Sequence, residues 1–277
     1  MEHSSEIKNP AIDGGKAFDW GKVSSDYAKY RDIYPQEFYR KILERNLCRN
    51  GQRVLDIATG TGVLPRNLYT YGARWTGIDI SENQIREARR LSEENQMDIS
   101  YQVCAAEELD FPADSFDVIT ACQCFFYLDH AKAAPKFAHM LTKGGKLLVL
   151  YMTWLPLEDP VAEASEQLVL KYNPSWSGAG ETRRPADIPA AVLDDFDIVS
   201  QEQFDLKVPF TRETWHGRMK ACRGVGASLD ASRLAAWEQE HREALKKAPE
   251  RFEVLHYASI AELQVKEKAK NKKENER

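Results

Sequence analysis

The chain has 277 residues, 43% of them apolar, and carries a formal charge of −5. This length and composition are enough for a sizeable core and exclude a disordered polymer. The acidic balance supplies no broad basic field for a phosphate backbone, so a nucleic-acid partner is not expected, while a small neutral or cationic substrate stays open.

Met1 to Asp13 is polar and lacks the apolar run of a signal peptide, so no leader is expected there. In the stretch Phe18 to Pro35, Tyr27, Tyr30, Arg31 and Tyr34 recur at three- and four-residue spacing, which predicts a shared helical face. Arg53 to Ala58 predicts a buried strand ended by Gly60 to Gly62. Leu64, Leu68 and Tyr71 then predict the inward face of a helix stopped at Gly72. Trp75 to Ile80 predicts a second strand, and Ser81 caps a helix that turns Ile85, Ala88 and Leu91 inward. A third strand is expected at Ile99 to Cys104. Phe116 to Cys124 is a nearly unbroken apolar run, as a strand covered on both faces requires. A helix over about Ala131 to Leu141 is expected to close at Lys143-Gly144-Gly145, with a fifth strand over Lys146 to Trp154. Strands alternating with helices predict an α/β fold: a Rossmann-like, mostly parallel, seven-stranded sheet flanked by helices.

The pattern breaks after Trp154. Leu155 to Pro189 is rich in proline, with a turn at Trp176 to Gly180 and one helix candidate, Val161 to Tyr172. Ile198 to Pro209 and Phe252 to Val265 are expected as strands, Arg212 to Arg223 and Ala231 to Lys247 as helices. The expected organisation is a tail and helical lid (1–45), a cofactor-binding core (46–153) and an insertion over the sheet edge (154–197). A C-terminal part completing the sheet (198–265) and a charged tail (266–277) follow. No stretch approaches the apolar length that spans a bilayer, and a cytoplasmic monomer or homodimer is expected. Five cysteines form an odd set, against a disulfide framework, and Cys122 and Cys124 share one strand face as buried thiols with no second pair at zinc-ligand spacing; no metal is expected.

The turn Asp56-Ile57-Ala58-Thr59-Gly60-Thr61-Gly62 leaves a strand and opens a helix. Its small residues let a ligand approach the backbone closely, and free amides at the helix start would offer donors. Asp79 ends the next strand, where a carboxylate can accept both hydroxyls of a ribose. A helix-capping acid beside a tight turn is the plainer alternative. Ala58 and Pro65 break the Gly-x-Gly-x-x-Gly pyrophosphate fingerprint, and there is no Gly-x-x-x-x-Gly-Lys-Ser/Thr loop, which fits a nucleoside cofactor without phosphates.

In the segments Val54 to Gly62, Gly77 to Ser81, Ala105 to Asp117 and Leu141 to Leu150, the chain resembles class I S-adenosylmethionine-dependent methyltransferases. The resemblance is strongest to the small-molecule branch that includes ubiquinone-biosynthesis and trans-aconitate methyltransferases. It covers roughly residues 50 to 153 and implies S-adenosyl-L-methionine as cofactor. On that basis Asp56, Ala58, Thr59, Gly60 and Gly62 surround the methionine part, and Asp79 holds the ribose. Ile80 and Gln84 flank the nucleoside, Ala106 and Glu107 meet the adenine edge, and the Ala121 carbonyl receives the amino group. The family's first motif glycine is Ala58 here, and its adenine-binding acid is Ala105, so Glu107 or backbone must make that contact. Similar N-terminal segments form a lid, which implies that Tyr27 and Arg31 reach the cofactor's carboxylate; an aromatic helix with a solvated arginine is the alternative.

After Asp117 to Thr120 there is neither Asn/Asp-Pro-Pro-Tyr nor Pro-Cys, the marks of methyltransferases that act on amide or base nitrogens and on cytosine carbon. A small-molecule acceptor methylated by in-line displacement is the expected reaction. Its catalytic residues are unassigned, with His216 and His130 as candidate bases and Trp154, Trp176 and Trp215 as candidate pocket walls. A catalytically silent domain acting through a protein partner is one alternative. Aminopropyl transfer is another, for which Phe125-Phe126-Tyr127 lacks the acids a polyamine needs.

Overall fold

The computed structural model describes residues 6–267; the greater part of the expected charged tail falls outside them. Contacts divide the chain into two compact units, neither of them contiguous. One is drawn from residues 36–152, 184–204 and 258–277, the other from residues 1–35, 153–183 and 205–257.

Two-residue strands β1 (Glu6–Ile7) and β2 (Phe18–Asp19) pair antiparallel and lead into α1 (Ser24–Tyr30) and α2 (Gln36–Leu43). The βαβ series follows as β3 (Arg53–Ile57), α3 (Val63–Leu68), β4 (Arg74–Asp79), α4 (Glu82–Glu94), β5 (Ser100–Val103), β6 (Phe116–Cys122), α5 (His130–Met140) and β7 (Leu141–Trp154). The remainder is α6 (Pro160–Tyr172), α7 (Ala190–Leu193), β8 (Phe196–Thr211), α8 (Arg212–Lys220), α9 (Ala231–Leu245) and β9 (Arg251–Val265). The seven-stranded sheet has the order β5-β4-β3-β6-β7-β9-β8, and β5-β4, β4-β3, β3-β6 and β6-β7 all pair parallel. This is the expected α/β class.

Order and chemistry explain one another. Parallel strands in the middle of such a sheet are covered on both faces, so Val54, Leu55, Ile57, Val118, Ile119 and Ala121 are all buried. The core beneath them joins β3, β6 and β7 to Ala133, Phe137 and Met140 of α5 and to Leu263 and Val265 of β9. Ser81 caps α4 as expected, its hydroxyl accepting from the Gln84 amide at 3.4 Å.

Three local expectations change. Tyr71 is not on an inward face but is 43% exposed: α3 tightens into a 3-10 turn at Tyr69, which rotates the last side chain outward before left-handed Gly72. Tyr34 does not share a helix with Tyr27, because α1 ends at Tyr30 and the residue before Pro35 is driven out of helical conformation. Lys143-Gly144-Gly145 does not close α5, which ends at Met140. Phe116 pairs with Leu141 and Val118 with Lys146, so the intervening residues bulge out of β7, with Gly144 at φ 76°.

Candidate cofactor site

From β3 the chain builds outward through β4 and β5, then returns to lay β6 on the other side of β3. The carboxyl ends of β3 and β6 therefore flank a switch in strand order, the place where an open parallel sheet leaves a crevice for a ligand. The turn at Ala58 to Gly62 leaves β3 at this point, and Asp79 ends the neighbouring β4.

The turn is wound through three left-handed positions, Ala58 (φ 48°), Gly60 (φ 58°) and Gly62 (φ 74°). Glycine accepts such angles freely, while alanine pays about 1–2 kcal/mol for them. Gly62 is required twice over, since a Cβ there would stand 2.3 Å from the Tyr101 hydroxyl. A Cβ on Gly77, one strand over, would stand 2.8 Å from Thr59 Oγ1 and 2.9 Å from the Tyr101 ring. Tyr101 is thus the floor of the turn, held by a 3.0 Å hydrogen bond with the Ser92 hydroxyl. Nothing in the residue pattern singles it out.

Three amides that precede the helix start are engaged within the protein. Thr59 N–H donates to the Ile78 carbonyl at 2.7 Å, Gly60 N–H to Asp79 Oδ2 at 2.9 Å, and Gly62 N–H to the Thr59 carbonyl at 2.9 Å. The turn is preorganised by its own bonds. What it leaves over is the Thr61 hydroxyl, buried with no hydrogen-bond partner among the described residues.

Two buried carboxylates hold the arrangement. Asp56 accepts from the Thr59 hydroxyl at 2.7 Å and from the Thr120 hydroxyl of β6 at 2.6 Å. Burial pushes it up to about 7, against the pull of those hydroxyls. Asp79 accepts from Gly60 N–H through Oδ2 and from Ser81 N–H through Oδ1 at 2.8 Å. Burial raises it to about 6, and the two amides hold it from rising further. Each Asp79 oxygen keeps one lone pair for a further donor.

Around them, Ile80 is half-buried and Gln84 lies buried in the first turn of α4. Ala106 is buried at the start of a 3-10 turn, and Ala121 lies in β6 opposite Ile57. Glu107 accepts from the Asp129 amide at 2.8 Å, tying its loop to the start of α5. Gln123, just past β6, is a second non-glycine residue at positive φ (64°) on this edge; like Ala58, its residue type gives no sign of it. Cys124 is buried, its thiol donating to the Ile57 carbonyl at 3.2 Å. No group of histidines, cysteines and acids among the described residues could hold a metal.

The remaining candidates are the two histidines, the three tryptophans, Tyr27 and Arg31. His130 begins α5 with its ring 4.6 Å from that of Phe125, and burial lowers its pKa. His216 belongs to the other unit, where its Nδ1 meets His241 Nδ1 at 2.9 Å and His241 Nε2 meets the Ser165 hydroxyl at 3.0 Å. Burial lowers His216 to about 4 and His241 to about 3, so both are neutral, stacked parts of a core with Trp237. Trp154, Trp176 and Trp215, the candidate pocket walls, are all buried in that unit. Trp154 donates to Glu166 at 2.6 Å and Trp215 to the Ser165 hydroxyl at 2.9 Å. Tyr27 and Arg31 also belong to it, the Arg31 guanidinium lying 4.8 Å from the centre of the Tyr27 ring.

Residues 54–145, which contain the turn, both carboxylates and β6, match the family model of a methyltransferase domain. That stretch of the chain is a methyltransferase domain. A 132-residue stretch is 34% identical to the ubiquinone biosynthesis O-methyltransferase of Coxiella burnetii, covering 47% of this chain and 56% of that one. The chain thus matches little more than half the length of that curated relative. Among solved structures, the YcgJ protein of Bacillus subtilis superposes with a TM-score of 0.51 at 20% identity, over 84% of this chain and 99% of that one. Phosphoethanolamine N-methyltransferase 2 of Haemonchus contortus, solved with phosphomonomethylethanolamine and S-adenosylhomocysteine, superposes with a TM-score of 0.52 at 18% identity, over 93% of this chain and 58% of that one. At these identities both structures speak for the methyltransferase fold alone.

Proposed function

We propose that the protein transfers a methyl group from S-adenosylmethionine to a small-molecule acceptor. The observation that carries this reading is the Asp79–Gly60 hydrogen bond, which fixes a ribose-type carboxylate against a glycine turn at the switch point of the sheet. The residues present suit the cofactor. Gly60 and Gly62 carry no side chains, the Thr61 hydroxyl has no hydrogen-bond partner among the described residues, and each Asp79 oxygen can take one ribose hydroxyl. In this reading Asp56 and Thr59 keep the turn in shape, Ile80 and Gln84 flank the nucleoside, Ala106 and Glu107 border its adenine, and the Ala121 carbonyl faces the amino group.

When bound, the cofactor supplies an activated sulfonium methyl, so the chain's task is alignment and exclusion of water, which can be worth roughly 7–11 kcal/mol. A turn held by internal bonds from Thr59, Gly60 and Gly62 is already in shape before binding, which keeps the alignment cost low. The name of the Coxiella burnetii relative makes oxygen the first acceptor atom to try. No helix among the described residues is long and apolar enough to cross a membrane, in keeping with a cytoplasmic enzyme acting on a small molecule. The test is calorimetric titration with S-adenosylmethionine and S-adenosylhomocysteine, followed by a methyl-transfer screen over phenols, carboxylates, thiols and amines. Saturable cofactor binding with no transfer to any acceptor would favour the catalytically silent reading; absence of cofactor binding would end both.

A further inference from the structure

The unit that carries the Asp79 turn also exposes an aromatic ring at the same edge of the sheet. Phe126 is 47% exposed, whereas its neighbour Phe125 is buried in the core with Ala106. Tyr71, the other markedly exposed aromatic side chain among the described residues, precedes β4 and lies at the opposite, amino-terminal edge. A single exposed phenylalanine is ordinary on a protein surface and by itself carries no function. The setting of Phe126 is what sets it apart.

Three rings meet at this point. The Phe126 ring lies 4.3 Å from that of Tyr127, and 6.1 Å from that of Tyr151 with the two planes at 83°. Tyr151 stands near the carboxyl end of β7, one position beyond Leu150, which pairs with Cys122 at the end of β6. Gln123 locks the loop that carries Phe126 onto β7. Its backbone N–H donates to the Leu150 carbonyl at 2.9 Å, and its side-chain amide donates to the Met152 carbonyl. Gln123 makes both bonds at φ 64°, left-handed backbone that a residue with a Cβ adopts only at a cost. Strain of this kind persists where the surrounding structure over-determines it, and such positions cluster at ligand sites. The loop is also tied to the glycine turn, since the Cys124 thiol donates to the carbonyl of Ile57, the last residue of β3.

The strand order gives the ring its place. From β4 through β3 to β6 the edge carries Asp79, the turn and Ala121. In the methyltransferase reading these are the stations of the ribose, the methionine part and the amino group. The next station along the edge is the carboxyl end of β7 beside that of β6, where Tyr151 and Phe126 stand. All of these residues lie within 36–152, in one unit.

The packing of the rings decides what they can hold. Aromatic walls enclose a cation when they stand apart and leave room between them. Here the rings pack directly on one another, so there is no cage. The acid that follows in the chain, Asp129, is paired with Lys132 at 2.9 Å and offers no lone carboxylate to an ammonium group. A firmly held, half-exposed ring is instead suited to a second flat ring, packed offset or edge-on.

We infer that Phe126, supported by Tyr127 and Tyr151, is the platform on which the methyl acceptor rests, and that the acceptor carries an aromatic ring. That the ring belongs to an acceptor rests on the methyltransferase reading; the affinity for a flat ring does not. The platform fixes the kind of group held, and residues elsewhere decide among its substituents.

The full-length protein, with and without S-adenosylhomocysteine, is titrated calorimetrically with 2-naphthol, with its saturated counterpart 2-decalol and with choline. 2-Naphthol should bind saturably and at least about fivefold more tightly than 2-decalol. Phe126→Ala should weaken 2-naphthol at least about tenfold, and Phe126→Trp should keep it within about threefold of the parent. Both variants should keep affinity for S-adenosylhomocysteine within about twofold and melt near the parent, because the ring lies half outside the core. No binding of 2-naphthol, or binding that Phe126→Ala leaves unchanged, would overturn the platform. Equal binding of 2-decalol would overturn the aromatic class, and tighter binding of choline that Phe126→Ala abolishes would make the rings a cation site. A tenfold loss of S-adenosylhomocysteine affinity in Phe126→Ala, roughly equal to the loss of 2-naphthol, would hand the ring to the cofactor. A parent that binds 2-naphthol but not S-adenosylhomocysteine would retain the ring site and lose the methyltransferase reading instead.

Discussion

Asp79 Oδ2 accepts the amide hydrogen of Gly60 at 2.9 Å, so the carboxylate proposed to hold a ribose also holds the turn proposed to face the rest of the cofactor. With Oδ1 engaged by Ser81 N–H, one side chain ties the end of β4 to the turn after β3 and to the start of α4. Binding and architecture are therefore coupled in a single residue. Asp79→Ala removes the charged acceptor of two hydroxyls, and bonds to charged groups contribute about 1.5–3 kcal/mol each. Cofactor affinity measured by calorimetry should fall at least about tenfold, and melting temperature should drop without loss of cooperative unfolding. Unchanged affinity would remove Asp79 from the site.

The same burial makes binding pH-dependent. Asp79 sits at about 6 in the free protein, above the ordinary aspartate value, and only its ionised form can accept both hydroxyls. Cofactor binding then has to expel a proton at any pH below that value. The dissociation constant should be flat above about pH 7 and rise about tenfold per pH unit in mildly acidic solution. Asp79→Asn should bind more weakly throughout and lose this slope. A parent protein with no acid-side slope would show that Asp79 is ionised already, or that it does not meet the cofactor.

Ala58 offers a test of the strain in the turn. At φ 48° its methyl group occupies a region costly to any residue with a Cβ. Ala58→Gly relieves that cost and gives back part of it as chain entropy in the unfolded state. Stability in urea denaturation should rise by up to about 1 kcal/mol, with cofactor affinity kept. Destabilisation would mean that the alanine methyl is packed usefully against the core.

Much of this site could be read from the residues because it depends on local patterns. Arg53 to Ala58 announces itself as a buried strand and Phe116 to Cys124 as one covered on both faces, and the spacing of Asp79 from the turn follows from a short βαβ unit. Features set by distant contacts left no such trace. Tyr101 of β5 lies against Gly62, and Asp56 meets Thr120 on the neighbouring strand β6, 64 positions along the chain. Ala58 and Gln123 adopt left-handed conformations that their residue types disfavour. The burial of Trp154, Trp176 and Trp215 depends on contacts far along the chain, such as Trp215 with Ser165 of α6, which local pattern does not carry. The discontinuous unit is illegible for the same reason: Ser165, His216 and His241 form one network from three separate helices.

That network also decides how acceptor specificity should be transplanted. The irregular region after β7 is where specificity is expected, since binding residues concentrate on segments carried by a regular scaffold. A swap of residues 154–225 alone would cut through a packed core, because α6 reaches α9 through the Ser165–His241 hydrogen bond at 3.0 Å and α8 reaches it through His216–His241 at 2.9 Å. Losing partners in a buried polar network costs about 1–3 kcal/mol for each stranded group, enough to unfold a marginal unit. The chimera should therefore exchange residues 153–183 and 205–257 together and keep residues 54–145, which match the methyltransferase model, from the parent. Acceptor preference, read as relative kcat/KM over a panel of candidates, should follow the exchanged segments, while affinity for S-adenosylhomocysteine stays near that of the parent. The shorter 154–225 exchange should melt earlier than the longer one. If the longer chimera folds and keeps the original preference, specificity lies in residues 1–35 or in the βαβ series itself.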